Sequence, residues 1–154
     1  MLSEETAIER MYQEHHSMVF RTAYRVTGNA ADAEDVLQTV FMRLTRREPR
    51  IDNPESYLRR SAVNTALDLV RARHDSSVVE LDRLPARAQH EQGELRENLR
   101  RALATLPERT AEMFALRFLE GLTNPEVARV MGLSQIVVAV TLHRTRRKLQ
   151  QILS

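Results

Sequence analysis

Two short amphipathic segments near the C-terminus, separated by Gly132-Leu133-Ser134, constrain the fold of this chain most. Thr123-Asn124-Pro125-Glu126 has the residues of a capping box with proline in the first turn, so it predicts the start of a helix. A second helix is predicted from about Gln135 to Ile152. Two helices joined by a short turn that contains glycine are typical of a helix-turn-helix.

The second of these helices carries uncompensated positive charge, because no Asp or Glu follows Glu126. We predict that Val138, Leu142 and Leu149 face the core. The outward positions near its start are Gln135, Ile136, Ala139, Val140 and His143, and the cations of the region are Arg129, Arg144, Arg146, Arg147 and Lys148. A compact helix pair with a basic end favours binding to a nucleic acid. Helical hairpins with a basic surface also occur in proteins that bind no DNA, so spacing alone leaves both interpretations open.

The rest of the chain is predicted to be helical as well. Gly and Pro are scarce, with four and five residues in 154, and apolar residues recur three and four positions apart. Helices are predicted at about 5–27 and 30–46, from 54 to a break at His74, and at 95–105 and 108–119. Gly28 is expected to end the first helix, and Asn29 and Asn53 to cap the next two. We expect an all-α fold of two small helical domains, 1–74 and 95–154, joined by a flexible acidic linker at 75–94.

The apolar stripes of the second and third helices define the predicted core of the first domain. The second contributes Val36, Leu37, Val40, Phe41 and Leu44, and the third contributes Tyr57, Leu58, Ala62, Val63, Ala66, Leu67 and Val70. His15, on the first helix, is predicted to be a core or boundary residue.

Charge changes sign twice along the chain. Residues 42–73 hold eight arginines against four acids, and residues 75–97 hold six acids against three arginines. Two basic blocks separated by an acidic one suggest two contacts with one long polyanion. Two solvated surfaces whose charge differs by chance would give the same pattern.

Several classes of function are disfavoured by what the sequence lacks. The chain has no cysteine and no apolar run near the roughly 20 residues of a membrane span, and its N-terminus is acidic rather than signal-like. We therefore expect a cytoplasmic protein without membrane insertion. No nucleophile–base pair, glycine-rich phosphate loop or metal-ligand cluster is visible, so we expect no enzyme activity, no cofactor and no metal.

A second motif lies at residues 32–41, where Asp32, Glu34, Asp35 and Gln38 open a predicted amphipathic helix. Acids in a first turn complement the helix dipole, which is a sufficient structural explanation. The functional alternative is a docking face for a basic partner protein.

A third motif lies on the predicted third helix, where Asn64, Asp68 and Arg71 are spaced four and three residues apart and so share a face. With Arg59 and Arg60 they could hydrogen-bond base edges and phosphates. An intrahelical Asp68–Arg71 pair beside a solvated Asn64 is the alternative.

In series, these motifs resemble the extracytoplasmic-function group of bacterial RNA polymerase sigma factors over nearly the whole chain. Residues 32–41 are similar to the polymerase-docking signature of that group. Tyr57-Leu58-x-x-x-Ala62-x-Asn64-x-x-x-Asp68-x-x-Arg71 is similar to its promoter-melting helix, with Tyr57 where Trp is usual. Leu106-Pro107-Glu108-Arg109 through Arg117, then Glu120-Gly121-Leu122-Thr123, Glu126-Val127-Ala128 and Gly132-Leu133-Ser134, are similar to its C-terminal domain.

The resemblance implies a subunit that directs core polymerase to specific promoters and aids melting of the −10 element. The N-terminal domain would dock on the clamp of the largest subunit through Asp32, Asp35, Val36, Gln38 and Phe41. It would bind the −10 element through the 46–52 loop and Arg59, Arg60, Asn64, Thr65, Asp68 and Arg71.

The C-terminal domain would bind the flap of the second-largest subunit and recognise the −35 element. Its implied contacts are Ser134, Gln135, Ile136, Ala139, Val140, His143, Arg144, Arg146, Arg147 and Lys148. The linker would pass near the RNA exit path. An anti-sigma factor is a further implied partner, and a monomer is expected when the chain is free.

One departure from the family pattern concerns the recognition helix, which usually has Ser-x-x-Thr-Val-Lys-Ser-Arg-Leu. Here Val137, Ala139, Val140 and Thr141 replace its Thr, Lys, Ser and Arg. The cations later in the helix would still contact phosphates, while recognition of bases would change. The apolar side chains could contact the methyl groups of thymine. We therefore hypothesise an unusual −35 preference.

Other functions stay open at this point. Ile136, Val137 and Val140 could instead form a protein-binding patch. The chain could be a polymerase-binding protein that opens no promoter, or a plain helix-turn-helix DNA-binding regulator.

Overall fold

The computed structural model describes residues 6–47, 49–79 and 91–153 of the chain. Within them the backbone forms helices and no strand, which confirms the all-α prediction. The helices are α1 (Ala7–Thr27), α2 (Ala30–Arg47), α3 (Pro54–Val79), α4 (Glu91–Thr105), α5 (Glu108–Phe114), α6 (Asn124–Met131) and α7 (Gln135–Leu153), with a π-helical turn at Ala115–Leu119 directly after α5.

The chain divides into two compact units, Met1–Ala66 and Leu67–Ser154, and the division falls within α3. The predicted linker at 75–94 lies partly outside the described residues, and its described ends are helical. The predicted break at His74 is wrong because neither Gly nor Pro interrupts residues 75–79, so α3 continues to Val79. Gly93 lies inside α4, where a glycine weakens a helix without ending it.

Side-chain and backbone caps fix the helix ends of the first unit. Gly28 takes a left-handed conformation with φ 69°, which glycine adopts without strain, and its N–H donates to the Tyr24 carbonyl at 2.7 Å. Asn29 Oδ1 accepts from the Asp32 N–H at 3.0 Å at the start of α2. Asn53 Oδ1 accepts from the Ser56 N–H at 3.1 Å at the start of α3. All three predicted ends are confirmed.

The core of the first unit is formed by apolar stripes from its helices. Its buried apolar residues include Val19, Ala23 and Val26 of α1, Val36, Leu37, Val40, Phe41 and Leu44 of α2, and Leu58, Ala62, Val63 and Ala66 of α3. The predicted stripe of α2 is therefore confirmed. Tyr57 was predicted to face inward, but it is 39% exposed, because a tyrosine can cover apolar surface while its hydroxyl stays in water. Thr22 is buried although its polarity gave no such signal, and its hydroxyl donates to Met18 Sδ.

The second unit places a helix-turn-helix on a core of large apolar side chains. Its buried residues include Leu103, Leu106, Met113, Phe114, Leu116, Val127, Met131, Val138, Leu142 and Leu149. The final turn of the predicted 108–119 helix is π-helical, with the Glu120 N–H donating to the Ala115 carbonyl at 3.0 Å. The apolar spacing of residues 108–119 did not predict the extra residue that this turn holds.

No single helix in the described residues is long and apolar enough to span a membrane. Helices α6 and α7 reach that length and composition only as a pair, and the pair is bent by 110°.

Candidate nucleic-acid interface

The turn between α6 and α7 fixes the geometry of the helix-turn-helix. Gly132 has φ 67°, a left-handed conformation that ends α6, and the Leu133 N–H donates to the Ala128 carbonyl at 2.8 Å. The axis bends by 110° across the three residues 132–134. This angle lies within the 90–120° range typical of helix-turn-helix pairs.

Both helices of the pair begin with a side-chain cap. The capping box predicted at α6 is confirmed, with the Glu126 N–H donating to Thr123 Oγ1 at 3.3 Å and the Thr123 N–H donating to Glu126 Oε1 at 3.0 Å. Ser134 Oγ accepts from the Val137 N–H at 3.2 Å. Ser134, predicted as a DNA contact, therefore caps α7 while remaining exposed. A capped N-terminus holds the first turn of α7 in a defined orientation.

One side of α7 is buried and the opposite side is exposed. The buried side consists of Val138, Leu142, Thr145 and Leu149. At 100° per residue, Ile136, Val140 and Arg147 lie within about 30° of the direction opposite to it and His143 within about 50°, and we call these four residues the outer line of α7. All four are exposed, Ile136 by 76% and Val140 by 43%. The outer line is thus apolar at the start of the helix and basic towards its end.

Further predicted contacts lie beside the outer line. Gln135, Ala139, Arg144, Arg146 and Lys148 are all exposed, so the structure brings the predicted −35 residues together along one helix. Since no acid follows Glu126, this surface has no carboxylate of its own on α7. Its positive charge is therefore available to a polyanion.

Two arginines of the second unit are held against one aromatic ring. The Cζ atoms of Arg117 and Arg146 lie 5.1 and 5.0 Å from the centroid of the Phe118 ring. Arg117 Nε also donates to Asn124 Oδ1 at 3.1 Å. These side chains, with His143, line a surface groove of about 180 Å³. A neutral ring orients a guanidinium without cancelling its charge, so we call this group the arginine–Phe118 stack.

Sequence reasoning did not single out Phe118 or Asn124 as functional, and it included Arg117 only as the end of a motif in the family resemblance. Phe118 and Arg146 are far apart in the sequence and meet only because α7 packs near the π turn. No local pattern of spacing signals such a contact.

Predicted docking residues on α2 lie in two different environments. Asp35 and Gln38 are exposed on the surface of the first unit, beside exposed Glu34. Val36, Phe41 and Asp32 are buried, the last with 4% of its surface exposed. Asp35 and Gln38 can therefore touch a partner directly, whereas the buried residues hold α2 in place.

The predicted −10 residues on α3 are half-buried or paired in the described structure. Arg59 binds Glu55 at 3.1 Å. Arg71 lies 3.7 Å from Asp68, which is the ion pair of the structural alternative for this motif, although the Asn64 that the alternative expected to be solvated is half-buried. Arg60 and Asn64 are half-buried.

Thr65 lies inside the first unit rather than on its surface. Its side chain is buried, and its hydroxyl accepts a hydrogen bond from Arg43 Nη1 at 3.2 Å. Thr65 therefore links α3 to α2.

No group of three or more metal-ligating side chains occurs among the described residues.

Two family models match this chain in tandem. The model described as Sigma-70 region 2 matches residues 11–75, and the model described as Sigma-70, region 4 matches residues 96–149. The second match contains the helix-turn-helix, the outer line of α7 and the arginine–Phe118 stack.

Curated relatives carry names of the same kind. The ECF RNA polymerase sigma factor SigE of Mycolicibacterium smegmatis is 30% identical over 157 residues, which cover 95% of this chain and 61% of that protein. The RNA polymerase sigma-E factor of Streptomyces avermitilis is 30% identical over 149 residues, which cover 93% of this chain and 83% of that protein. This chain thus spans less than two thirds of the first relative and most of the second.

Solved structures share the fold. CnrH in complex with the cytosolic domain of CnrY matches with a TM-score of 0.58 at 23% identity, covering 98% of this chain and 90% of that one. The sigma factor RpoE in complex with the anti-sigma factor NepR, from Bartonella quintana, matches with a TM-score of 0.53 at 16% identity, covering 94% and 95%.

Proposed function

The chain belongs to the sigma-70 family of bacterial RNA polymerase sigma factors, in its extracytoplasmic-function group, and on that premise we propose that it directs core polymerase to specific promoters and aids melting of the −10 element. The observation that carries this proposal is the exposed, acid-free surface of α7 in a helix-turn-helix of ordinary geometry. Such a helix can enter a major groove at its start and lie along phosphates at its end.

We propose a division of labour between the two family regions. Residues 1–74 dock on the clamp of the largest polymerase subunit and bind the −10 element. Residues 95–154 bind the flap of the second-largest subunit and the −35 element, and residues 75–94 connect the two regions. In the docking surface, exposed Asp35 and Gln38 make the contact, and buried Val36 and Phe41 keep α2 rigid. In the −10 surface, half-buried Arg60 and Asn64 offer donors to a base and a phosphate.

The proposed −10 surface must rearrange its charges when it binds DNA. Arg59 and Arg71 are each within 4 Å of a carboxylate on the same helix. The side chains of Glu55 and Asp68 are 62% and 61% exposed, whereas those of Arg59 and Arg71 are 17% and 21% exposed. Water reaches both carboxylates, which weakens their attraction to the arginines. Phosphates can therefore replace the exposed carboxylates, while Arg59 and Arg71 keep their half-buried positions.

We propose an anti-sigma factor as the regulatory partner, supported by fold neighbours that were solved as complexes with CnrY and NepR. The chain itself has no catalytic role in this proposal, since nucleotide transfer belongs to the core enzyme. It acts in the cytoplasm, where the polymerase acts, and is a monomer when free.

The proposal is tested by run-off transcription with purified core polymerase, with and without the chain, on a library of randomised promoter fragments. We expect enriched transcripts that share two elements upstream of their start. Asp35→Arg is expected to abolish both core binding and transcription. The matched control Glu14→Arg makes the same charge change at an exposed position of α1 and should leave both intact.

A second function is favoured by the apolar start of the outer line, which lacks the usual polar groups of a recognition helix. In this alternative the chain binds core polymerase and produces no transcripts. A plain DNA-binding regulator would bind duplex DNA while failing to bind core at all. The transcription and core-binding assays separate the three functions.

A further inference from the structure

The start of α7 presents apolar side chains where DNA recognition ordinarily uses hydrogen bonds. Ile136, Val137 and Val140 are among the large hydrophobic residues that the structure leaves exposed. Ile136 and Val140 lie on the outer line, one helical turn apart, and Ala139 is exposed beside them. None of these side chains can donate or accept a hydrogen bond.

The charge around this apolar segment indicates which kind of molecule binds there. The outer line continues from Val140 through His143 to Arg147, with Arg144, Arg146 and Lys148 exposed on either side. From Ile136 to Arg147 the helix rises about 16 Å, which exceeds the roughly 12 Å width of a major groove. A duplex that binds the cations through its phosphates therefore holds its base edges against Ile136 and Val140. Duplex DNA complements the whole line, whereas an apolar protein partner complements only its beginning.

Spacing and chemistry together select one feature of the duplex. Ile136 and Val140 are separated by about 6 Å along the helix axis, so both fit within the roughly 12 Å width of one major groove. The thymine C5-methyl is the apolar group that an unmodified base presents in the major groove, and the other groups there are donors and acceptors. When an apolar side chain covers a hydrogen-bond donor or acceptor of a base, that polar group loses its water and gains no partner, which is unfavourable.

We propose that Ile136 and Val140 recognise thymine methyl groups in the −35 element, so that methyl contact replaces hydrogen bonding as the basis of promoter selectivity at this helix. This inference rests on the proposed function of the chain as a promoter-recognition subunit. Its specificity-determining residues are Ile136 and Val140, with the cations of α7 supplying sequence-independent affinity.

The test changes the DNA rather than the protein, so that folding is not in question. A promoter selected by the holoenzyme is rebuilt with deoxyuridine in place of each −35 thymidine in turn, which removes one methyl and keeps every hydrogen bond. We expect transcription at limiting holoenzyme to fall about fourfold for each contacted methyl, the effect of exposing one buried methylene-sized group. The same replacement in the spacer between the two elements is the control and should change nothing.

A second pair of variants links the methyl to the side chain. Ile136→Ala and Val140→Thr, each at an exposed position, should transcribe the thymidine promoter about as weakly as the deoxyuridine promoter, so that the discrimination between the two bases is lost. Val140→Thr keeps the shape of the side chain and replaces one methyl with a hydroxyl, so its effect isolates polarity from size.

The outcomes separate this inference from the proposed function. Transcription that is equally strong with thymidine and deoxyuridine overturns the inference and leaves the function standing. If Ile136→Ala also leaves transcription unchanged, Ile136 makes no contribution to promoter recognition and the inference is overturned. A holoenzyme that yields no transcript from any fragment, although core binds the chain, overturns both. The inference is supported if deoxyuridine lowers transcription by the unaltered chain and makes no difference to transcription by Ile136→Ala or Val140→Thr.

Discussion

Replacing Phe118 by leucine tests whether the arginine–Phe118 stack prepares two cations for phosphate. The substitution removes the ring that lies 5.1 Å from the Arg117 guanidinium and 5.0 Å from that of Arg146, and it changes no charge. Ordering a rotamer-rich side chain on binding costs about 0.5–1.5 kcal/mol. The ring already orders these two side chains in the free protein. In the variant they are ordered only when the protein binds DNA, so the cost of ordering them is subtracted from the free energy of binding.

The structure divides this cost unequally between the two arginines. Arg117 keeps its hydrogen bond to Asn124 Oδ1 at 3.1 Å in the variant, so it stays partly ordered. Arg146 loses its ring contact on an exposed part of α7. We therefore expect a loss of about 1–1.5 kcal/mol, dominated by Arg146, which is roughly a five- to twelvefold weaker affinity for duplex DNA.

The assay is fluorescence anisotropy of a labelled promoter duplex, titrated with holoenzyme at several salt concentrations. Because no charge is removed, the slope of log affinity against log salt should stay the same, whereas Arg146→Gln should reduce it by about 0.9 for one lost phosphate contact. Phe20→Leu removes a half-buried ring from the first unit and is the matched control. Unchanged affinity in Phe118→Leu, with circular dichroism showing a folded protein, would refute the reasoning, as would a slope that falls as far as in Arg146→Gln.

Three further predictions concern stability and charge. Leu58→Ala removes a fully buried side chain and should destabilise the protein by about 2–5 kcal/mol, seen as a lower Tm, whereas Tyr57→Ala should cost much less. Thr123→Ala breaks the capping box and should cost about 0.5–2 kcal/mol in the same measurement, with Thr6→Ala as a second cap variant in the first unit. Replacing Arg144, Arg146, Arg147 and Lys148 by glutamine should reduce the salt slope of DNA binding by about 3.6, and Arg101→Gln should leave it unchanged.

Helix ends and the stripe of α2 were predictable because their causes are local. Asn29, Asn53 and the Thr123–Glu126 pair bond to backbone groups within three residues, so the sequence of each short segment contains the whole interaction. Periodicity likewise predicts a buried stripe before its packing partner is known.

The features that could not be predicted depend on contacts between distant parts of the chain. Phe118 and Arg146 meet through tertiary packing, and their stacking leaves no trace in the spacing of either helix. The prediction that Tyr57 faces inward was wrong because the spacing of apolar residues does not show whether the first residue of a stripe still packs on the core or lies past its edge. The assignments of −10, −35 and docking residues stay predictions, although exposure now separates Asp35 and Gln38 from the buried Val36 and Phe41.

The π turn after α5 makes the interface depend on the number of residues as well as on their identity. Through the bond from the Glu120 N–H to the Ala115 carbonyl it accommodates one residue more than an α turn does. Loss of one residue from 115–119 would allow an unbroken α-helix and rotate the helix-turn-helix by about 100° relative to α5. A single-codon deletion that removed no charged residue would then separate the cations of α7 from the ring that orients them. The length of the segment 115–119 therefore matters to this interface as much as its side chains do.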